Sequence, residues 1–340
     1  MPWKTYLRWA AHAQLLPVLE NGEEILVGGQ AVMEGVMMRA PHSYCVAVRR
    51  PDGSFATEEA SLEKLSDKHP IFKYPLIRGV GTLVYSLWLG LKALRFSANV
   101  LLQAEAAREA AEKGEAPPSA DQKHDSGELP AWMIALQILF SLGFFILMYK
   151  FIPLLIATQM QKTFPALSGW IAFNFVDGLA RMIIFLGFLW LLSLSKDIHR
   201  VFEYHGAEHR VVFNFESGKP LTVANAQGFT TWHPRCGTSF LLVVMLVSIA
   251  VYALVPVHTF ALRLLVRILA LPFIMGISYE IIRFAAKHKG GLLAFITAPG
   301  LWLQRITTQP PSDDQTEVAI RALEGAMEIE QKAGGELVIA

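Results

Sequence analysis

Cysteine is scarce: Cys45 and Cys236 are the two thiols of a 340-residue chain. Two cysteines cannot build a disulfide framework, so a reduced compartment is expected and Cys236 stays available as a thiolate. An excess of one charge is also missing. Thirty Lys and Arg against 29 Asp and Glu leave a formal charge of +1, which removes the electrostatic case for a nucleic-acid partner. The chain shows no P-loop, no Rossmann glycine fingerprint, no nucleophile elbow and no internal repeat. Residues 1–30 lack an apolar stretch followed by a cleavage site, so no signal peptide is expected.

What the chain has in quantity is apolar sequence. Hydrophobic residues make up 53% of it, the mean hydropathy is +0.37, and the apolar residues are bunched into runs. Bunching at this scale points to a membrane protein before a globular enzyme. Four segments approach the ~20 residues needed to span a bilayer: Ala131–Tyr149, Trp170–Leu194, Thr238–Val257 and Leu264–Ile282. A fifth, Gly79–Leu91, is shorter and flanked by Arg78, Lys92 and Arg95. It reads as an interfacial or re-entrant helix within residues 76–103. The expected fold is therefore a mainly α membrane protein with about four transmembrane helices, that extra helix and a small β-containing cytoplasmic element.

Loop charge sets the orientation. Lys196, Arg200, Arg210, Lys219 and Arg235 crowd the connection between the second and third spans, while Lys150, Lys162 and Arg263 are sparse on the other side. The positive-inside rule then puts both termini and the 195–237 loop in the cytoplasm, with the lipid bilayer as partner.

The soluble parts read as follows. Residues 20–75 form the β-containing element, because Tyr44–Arg50 and Ser54–Glu58 flank the turn Pro51-Asp52-Gly53. Gly28–Pro41 ahead of them is dense in Gly and Met around Glu34 and Arg39, which suggests tight turns or close backbone approach with adaptable packing. Residues 104–130 are a helical end followed by a charged, Pro- and Ser-containing linker. Residues 131–289 are the membrane domain, and 290–340 a cytoplasmic segment. Asp313 or Asp314 caps its amphipathic helix, with Val318, Ala319 and Leu323 on one face.

The chemistry concentrates between Val201 and Phe240. His205, Glu208 and His209 stand at H-x-x-E-H spacing, and His233 and Cys236 follow as H-P-R-C. On a helix, positions four apart share a face, so two imidazoles can hold one divalent metal beside a carboxylate. Imidazole plus thiolate suits zinc. Glu280, at the expected cytoplasmic end of the fourth span, is a further ligand candidate, since an ionisable group at membrane depth is a functional candidate by default. The bland alternatives are a polar helix for the H-x-x-E-H run, a simple turn for H-P-R-C and a Glu280–Arg283 pair. Asp177 and Arg181 read as a structural ion pair, and His42, His199, His258 and His288 as surface or interface residues.

The blocks GGQAVMEGVMMRAP, YHGAEH, HPRCGTSF, SYE (Ser278–Glu280) and PGLWLQRITTQPP (Pro299–Pro311) give the chain a resemblance. It resembles the YqhQ-like family of bacterial multi-pass membrane proteins of unknown function, from about Gly28 to Ala322 with the linker omitted. The resemblance implies a multi-pass membrane protein and a metal-dependent activity. Two functions are expected from these readings. One is a cytoplasm-facing metalloenzyme, a hydrolase of a membrane-linked substrate: His205 and His209 hold the metal, Glu280, His233 or Cys236 completes it, and Glu208 is the general base. The other is a membrane scaffold or assembly factor, less favourably a transporter, with a structural or sensory His/Cys cluster and a membrane protein as partner.

Overall fold

A computed structural model describes residues 27–63, 69–114, 131–167, 169–234, 236–257, 259–287 and 291–332. The remainder of the linker beyond Gly114, Arg235, His258 and His288 lie outside these residues. The molecule is mainly helical, with one small antiparallel sheet.

The sheet is a four-stranded meander: β1 Gly28–Val32, β2 Gly35–Arg39, β3 Ser43–Arg49 and β4 Phe55–Ser61, in that order. The hairpin around Pro51-Asp52-Gly53 is present, with Gly53 at φ +84°. Gly28–Pro41, expected as tight turns or close backbone approach, forms a second hairpin in which a Cβ on Gly29 would lie 2.6 Å from the Met37 carbonyl oxygen. Val32 pairs Gly35 across a turn in which Glu34 takes φ +52°, a conformation uncommon for a residue with a side chain. β2 and β3 are buried almost throughout because helices cover both faces of the sheet, while β4 alternates and carries Glu58 and Glu59 at the edge.

One face of the sheet packs on α1, Ile77–Lys113, through Val32, Met37, Val46, Leu89, Ala93 and Val100. The interfacial helix expected at 76–103 is thus part of a 37-residue helix that runs into the expected linker. Its last turns, EAAREAAEK, are strong helix formers and need no apolar face to continue. The other face packs on two helices through Val36, Met38, Cys45, Tyr204, Val211, Val318 and Leu323. Val318, Ala319 and Leu323 are fully buried, as their spacing requires.

The apolar helices are α2 Ala131–Ile146, which continues through a π-turn at Leu147–Phe151 into α3 Ile152–Thr163, then α4 Trp170–Ser193. α5 Lys196–Glu216 and the short α6 Val223–Gln227 follow, then α7 Gly237–Ala253, α8 Phe260–Leu269, α9 Leu271–Lys287, α10 Gly291–Thr307 and α11 Asp313–Lys332. Two stretches are long and apolar enough to cross a membrane, Leu139–Thr163 and Trp170–Ser193. The pair α8–α9, bent by 48°, makes a third if it counts as one span. The expected first span is displaced toward the C-terminus, past Lys150, and the expected third is a 17-residue helix. α10, expected in the cytoplasmic segment, packs along α7 and α4.

Candidate metal centre

α5 begins after Ser195, with Asp197 in its first turn where an acidic side chain favours the helix dipole. It runs unbroken through Gly206. A Cβ there would lie 2.0 Å from the main-chain carbonyl oxygen of Gln309, so the glycine lets the α10–α11 connection press against the helix. The amide of Gln309 then donates to the carbonyl of Phe202, 2.9 Å, which fixes that approach.

The H-x-x-E-H spacing does what it implies. His205 and His209 stack edge-on with ring centroids 4.5 Å apart. Cys236 caps the N-terminus of α7 and brings its Sγ to 3.3 Å from Nε2 of His205. The ligand atoms of His205, His209 and Cys236 all lie within 4.8 Å of one another. Tetrahedral zinc, with bonds of about 2.0–2.3 Å, separates its nitrogen and sulfur ligands by roughly 3.3–3.6 Å, so the three fit that geometry after small side-chain shifts.

The backbone around them fixes the imidazole tautomers. Nδ1 of His205 donates to the carbonyl of Thr307, 2.7 Å, and Nδ1 of His209 donates to the carbonyl of Thr231. A carbonyl can only accept, so the proton of each neutral ring sits on Nδ1 and each Nε2 offers a lone pair. Both Nε2 atoms face Glu208, whose Oε2 is 4.0 Å from His205 Nε2 and 3.4 Å from His209 Nε2. Two imidazole lone pairs, a sulfur and a carboxylate oxygen thus converge in one small space. Such a set repels itself unless a cation or protons lie among its members. Burial disfavours the proton, for it pushes the His209 imidazole below its ordinary value. The donor set fits a divalent metal.

His233 stands beside this trio. Its ring centroid is 5.6 Å from that of His209 and 4.5 Å from Phe213, and Nε2 is 3.5 Å from Glu216. Burial pushes its imidazole down to about 4, so it is neutral at physiological pH. Gln304 of α10 clasps its backbone: the His233 amide donates to Oε1, 2.7 Å, and Nε2 donates to the His233 carbonyl, 2.8 Å. A cavity of about 140 Å³ opens here, lined by Gly28 and Gly29 of β1 together with His205, Glu208, His209, His233 and Cys236.

Glu280 is not in the cluster. Its Oε1 accepts from Arg78 Nε at 2.7 Å. The partner is thus Arg78 on α1, where the bland expectation had Arg283. Glu34 lies against Arg200 and the Tyr204 hydroxyl, and Arg39 against the Tyr85 ring, so neither lines the cavity. His42 bonds Glu330 at 2.7 Å, an interface role, and His199 lies 3.7 Å from Glu203.

Sequence reasoning missed the carbonyls of Thr231 and Thr307, the Gln304 clasp and the glycines of β1. For the clasp and the glycines the signal was present but unassigned: PGLWLQRITTQPP contains Gln304, and GGQAV contains both lining glycines.

The comparisons agree with the family expected from those blocks. Residues 74–329 match the model of a family described as protein of unknown function (DUF1385). The chain is 34% identical over 309 residues to "Uncharacterized protein YqhQ" of Bacillus subtilis (strain 168), covering 89% of this chain and 92% of that protein. The chain belongs to this YqhQ-like family. No solved structure matches it.

Proposed function

We propose that the protein is an integral protein of the bacterial inner membrane and a metal-dependent hydrolase of a membrane-linked substrate, with zinc as the foremost metal. His205, His209 and Cys236 hold the ion. The observation that carries this reading is the pair of Nδ1–carbonyl bonds, which turn both Nε2 lone pairs toward Cys236 and Glu208. When bound, the metal supplies Lewis acidity and makes water acidic enough to lose a proton near neutral pH. Glu208 sits within reach of that space and takes the proton as general base. Gly28 and Gly29 form one wall of the cavity, and a Cβ on Gly29 would lie 2.7 Å from Glu208 Cγ, so the glycine leaves that side chain its room.

The membrane part of the proposal has four spans: Leu139–Thr163, α4, α7 and the bent α8–α9 pair. Their outer faces are apolar, with Phe140, Ile171, Phe175 and Leu254 at least 62% exposed, which suits contact with lipid. Lys196, Arg200, Arg210 and Lys219 on the α4–α7 connection favour a cytoplasmic site and cytoplasmic termini.

A second reading has its own observation. His233 is 5% exposed and adjacent to His209, so it offers a fourth ligand that would close the site and make it structural, as in a scaffold or assembly factor. Metal content of detergent-purified protein tests both readings. Near one zinc per chain is expected, falling at least about tenfold in His205→Ala and Cys236→Ala and retained in Glu208→Gln. Absence of metal from protein purified without chelator would sink both. X-ray absorption then counts the ligands: three protein ligands plus an oxygen favour the enzyme, four protein ligands the scaffold.

A further inference from the structure

The apolar bundle buries a second polar cluster. Lys150, Asp177, Arg181 and Arg267 are 4%, 1%, 3% and 3% exposed. They come from the π-turn between α2 and α3, from α4 and from the end of α8. Asp177 Oδ2 accepts from Arg181 Nη2 at 2.5 Å and lies 3.1 Å from Arg267 Nη2. Arg181 Nη1 donates to the Ser248 hydroxyl, 2.6 Å, and Arg267 Nη2 to Asn174 Oδ1, 3.3 Å. Lys150 Nζ donates to the Tyr252 hydroxyl, 3.1 Å, which in turn donates to the carbonyl of Arg267, 3.0 Å. The Tyr252 ring lies between 5.1 and 5.6 Å from all three cationic heads.

The charges do not balance. The guanidiniums of Arg181, Arg263 and Arg267 cannot shed their protons inside a protein, and against the one carboxylate they leave a formal +2 before Lys150 is counted. The aromatic face of Tyr252 softens this imbalance without cancelling it. Arg263 close by adds no counter-charge; it donates to the Val257 carbonyl, 2.8 Å, and stacks on Phe173. Two buried atoms of the cluster also lack a hydrogen-bond partner, Arg181 Nε and Asp177 Oδ1. An uncompensated buried charge is far costlier than a surface one, so the site is incomplete as it stands.

The backbone gives an independent sign. Lys150 rides on the π-turn Leu147–Phe151, and the 48° bend between α8 and α9 follows Arg267 by three residues. π-turns recur at functional points of helices, and broken helices mark ion and substrate sites inside bundles. Both irregularities converge on the same charges.

We propose that this cluster is a binding site for a phosphate that keeps one proton, either inorganic phosphate or the monoester head of a lipid. Its oxygens accept from Arg181 Nε and Lys150 Nζ, and its P–OH donates to Asp177 Oδ1. A carboxylate or sulfate supplies the acceptors but lacks that donor at neutral pH. The site is distinct from the metal centre: Tyr252 is sixteen residues beyond Cys236 on α7, about 24 Å along the helix.

The test is thermal unfolding of the full chain in a non-ionic detergent at constant ionic strength. The four conditions are sodium chloride, sodium sulfate, sodium phosphate, and chloride with micelles doped with phosphatidic acid. Phosphate or phosphatidic acid is expected to raise the midpoint by about 3 °C or more over chloride, as a ligand binding only the folded state does. A rise with inorganic phosphate identifies a free oxyanion; a rise with phosphatidic acid alone identifies a lipid head. Arg181→Gln should abolish the rise. Lys150→Met should raise the midpoint in chloride, by removing excess charge, and shrink the response to phosphate; it carries the comparison if Arg181→Gln does not fold. The proposal is overturned by no shift with either probe, an undiminished shift in the variants, an equal shift with sulfate, or a lower midpoint for Lys150→Met in chloride.

Discussion

At the junction of α5 and α7 the buried polar groups are imidazoles and a thiol, whereas inside the bundle they are guanidiniums, an ammonium and a carboxylate. The first set can be neutral, and burial drives His209 and His233 that way. Main-chain carbonyls then satisfy the remaining protons and leave lone pairs for a cation. The guanidiniums of the second set stay charged at any pH the cell reaches, so its stability depends on finding opposite charge. On the two proposals made above, the clusters take ligands of opposite charge for the same reason: each is short of the charge it lacks. They also differ in how a substitution should be felt.

The largest effect is expected where compensation is thinnest. Asp177→Asn keeps the shape and leaves Arg181 and Arg267 without their shared carboxylate. Breaking a buried pair in this way costs about 3–5 kcal/mol. The matching change at the other cluster, Glu208→Gln, removes a carboxylate that faces lone pairs and should alter metal-free stability by less than about 1 kcal/mol. Unfolding both variants in detergent after chelation tests the contrast. Equal losses would mean that the two clusters are not built on different principles.

A second effect separates them by pH. The His233 imidazole is held down to about 4 in the folded protein, against about 6.5 when unfolded. Between those values the unfolded chain binds the extra proton, so stability rises with pH there and falls on acidification. From pH 7 to pH 5 the metal-free protein should lose about 2 kcal/mol through this group. His233→Gln should remove that part of the slope. The arginines of the bundle contribute no slope in this range, because they remain charged throughout. An unchanged slope in His233→Gln would show that the ring is already protonated or exposed in the folded state.

Much of this architecture was legible in the sequence, and the failures have physical causes. The Pro51-Asp52-Gly53 hairpin and α4 followed from local rules, as did the buried face of α11. The shared face of His205 and His209 followed from helix periodicity, and Cys236 was a candidate from its H-P-R-C spacing, but the cap that seats its sulfur was not foreseen. The first apolar stretch was misplaced because Lys150 looked like the end of a span. Its burial depends on Tyr252, about a hundred residues away. Glu280 was misassigned for a similar reason, since Arg78 reaches it from α1. The β1–β2 hairpin was hidden by glycines that weaken any strand signal. The carbonyls of Thr231 and Thr307 left no trace at all, because every residue type has a carbonyl.

Gly206 gives the smallest and most local way to sharpen the comparison. In an isolated helix, Gly→Ala is stabilising by about 1 kcal/mol. Here the new Cβ meets the carbonyl of Gln309 at 2.0 Å, and a main-chain atom cannot swing aside as a side chain can. Overpacking of this kind costs about 1–3 kcal/mol, so Gly206→Ala should be net destabilising by about 1 kcal/mol. The displaced segment carries Thr307, so the tautomer of His205 should loosen and metal affinity should fall along with stability. Among the described residues the hydrogen bonds and ion pairs of the bundle cluster do not reach this connection, and its response to phosphate should be unchanged. A variant more stable than wild type with its metal intact would show that the connection yields freely and that the Thr307 bond does not set the site.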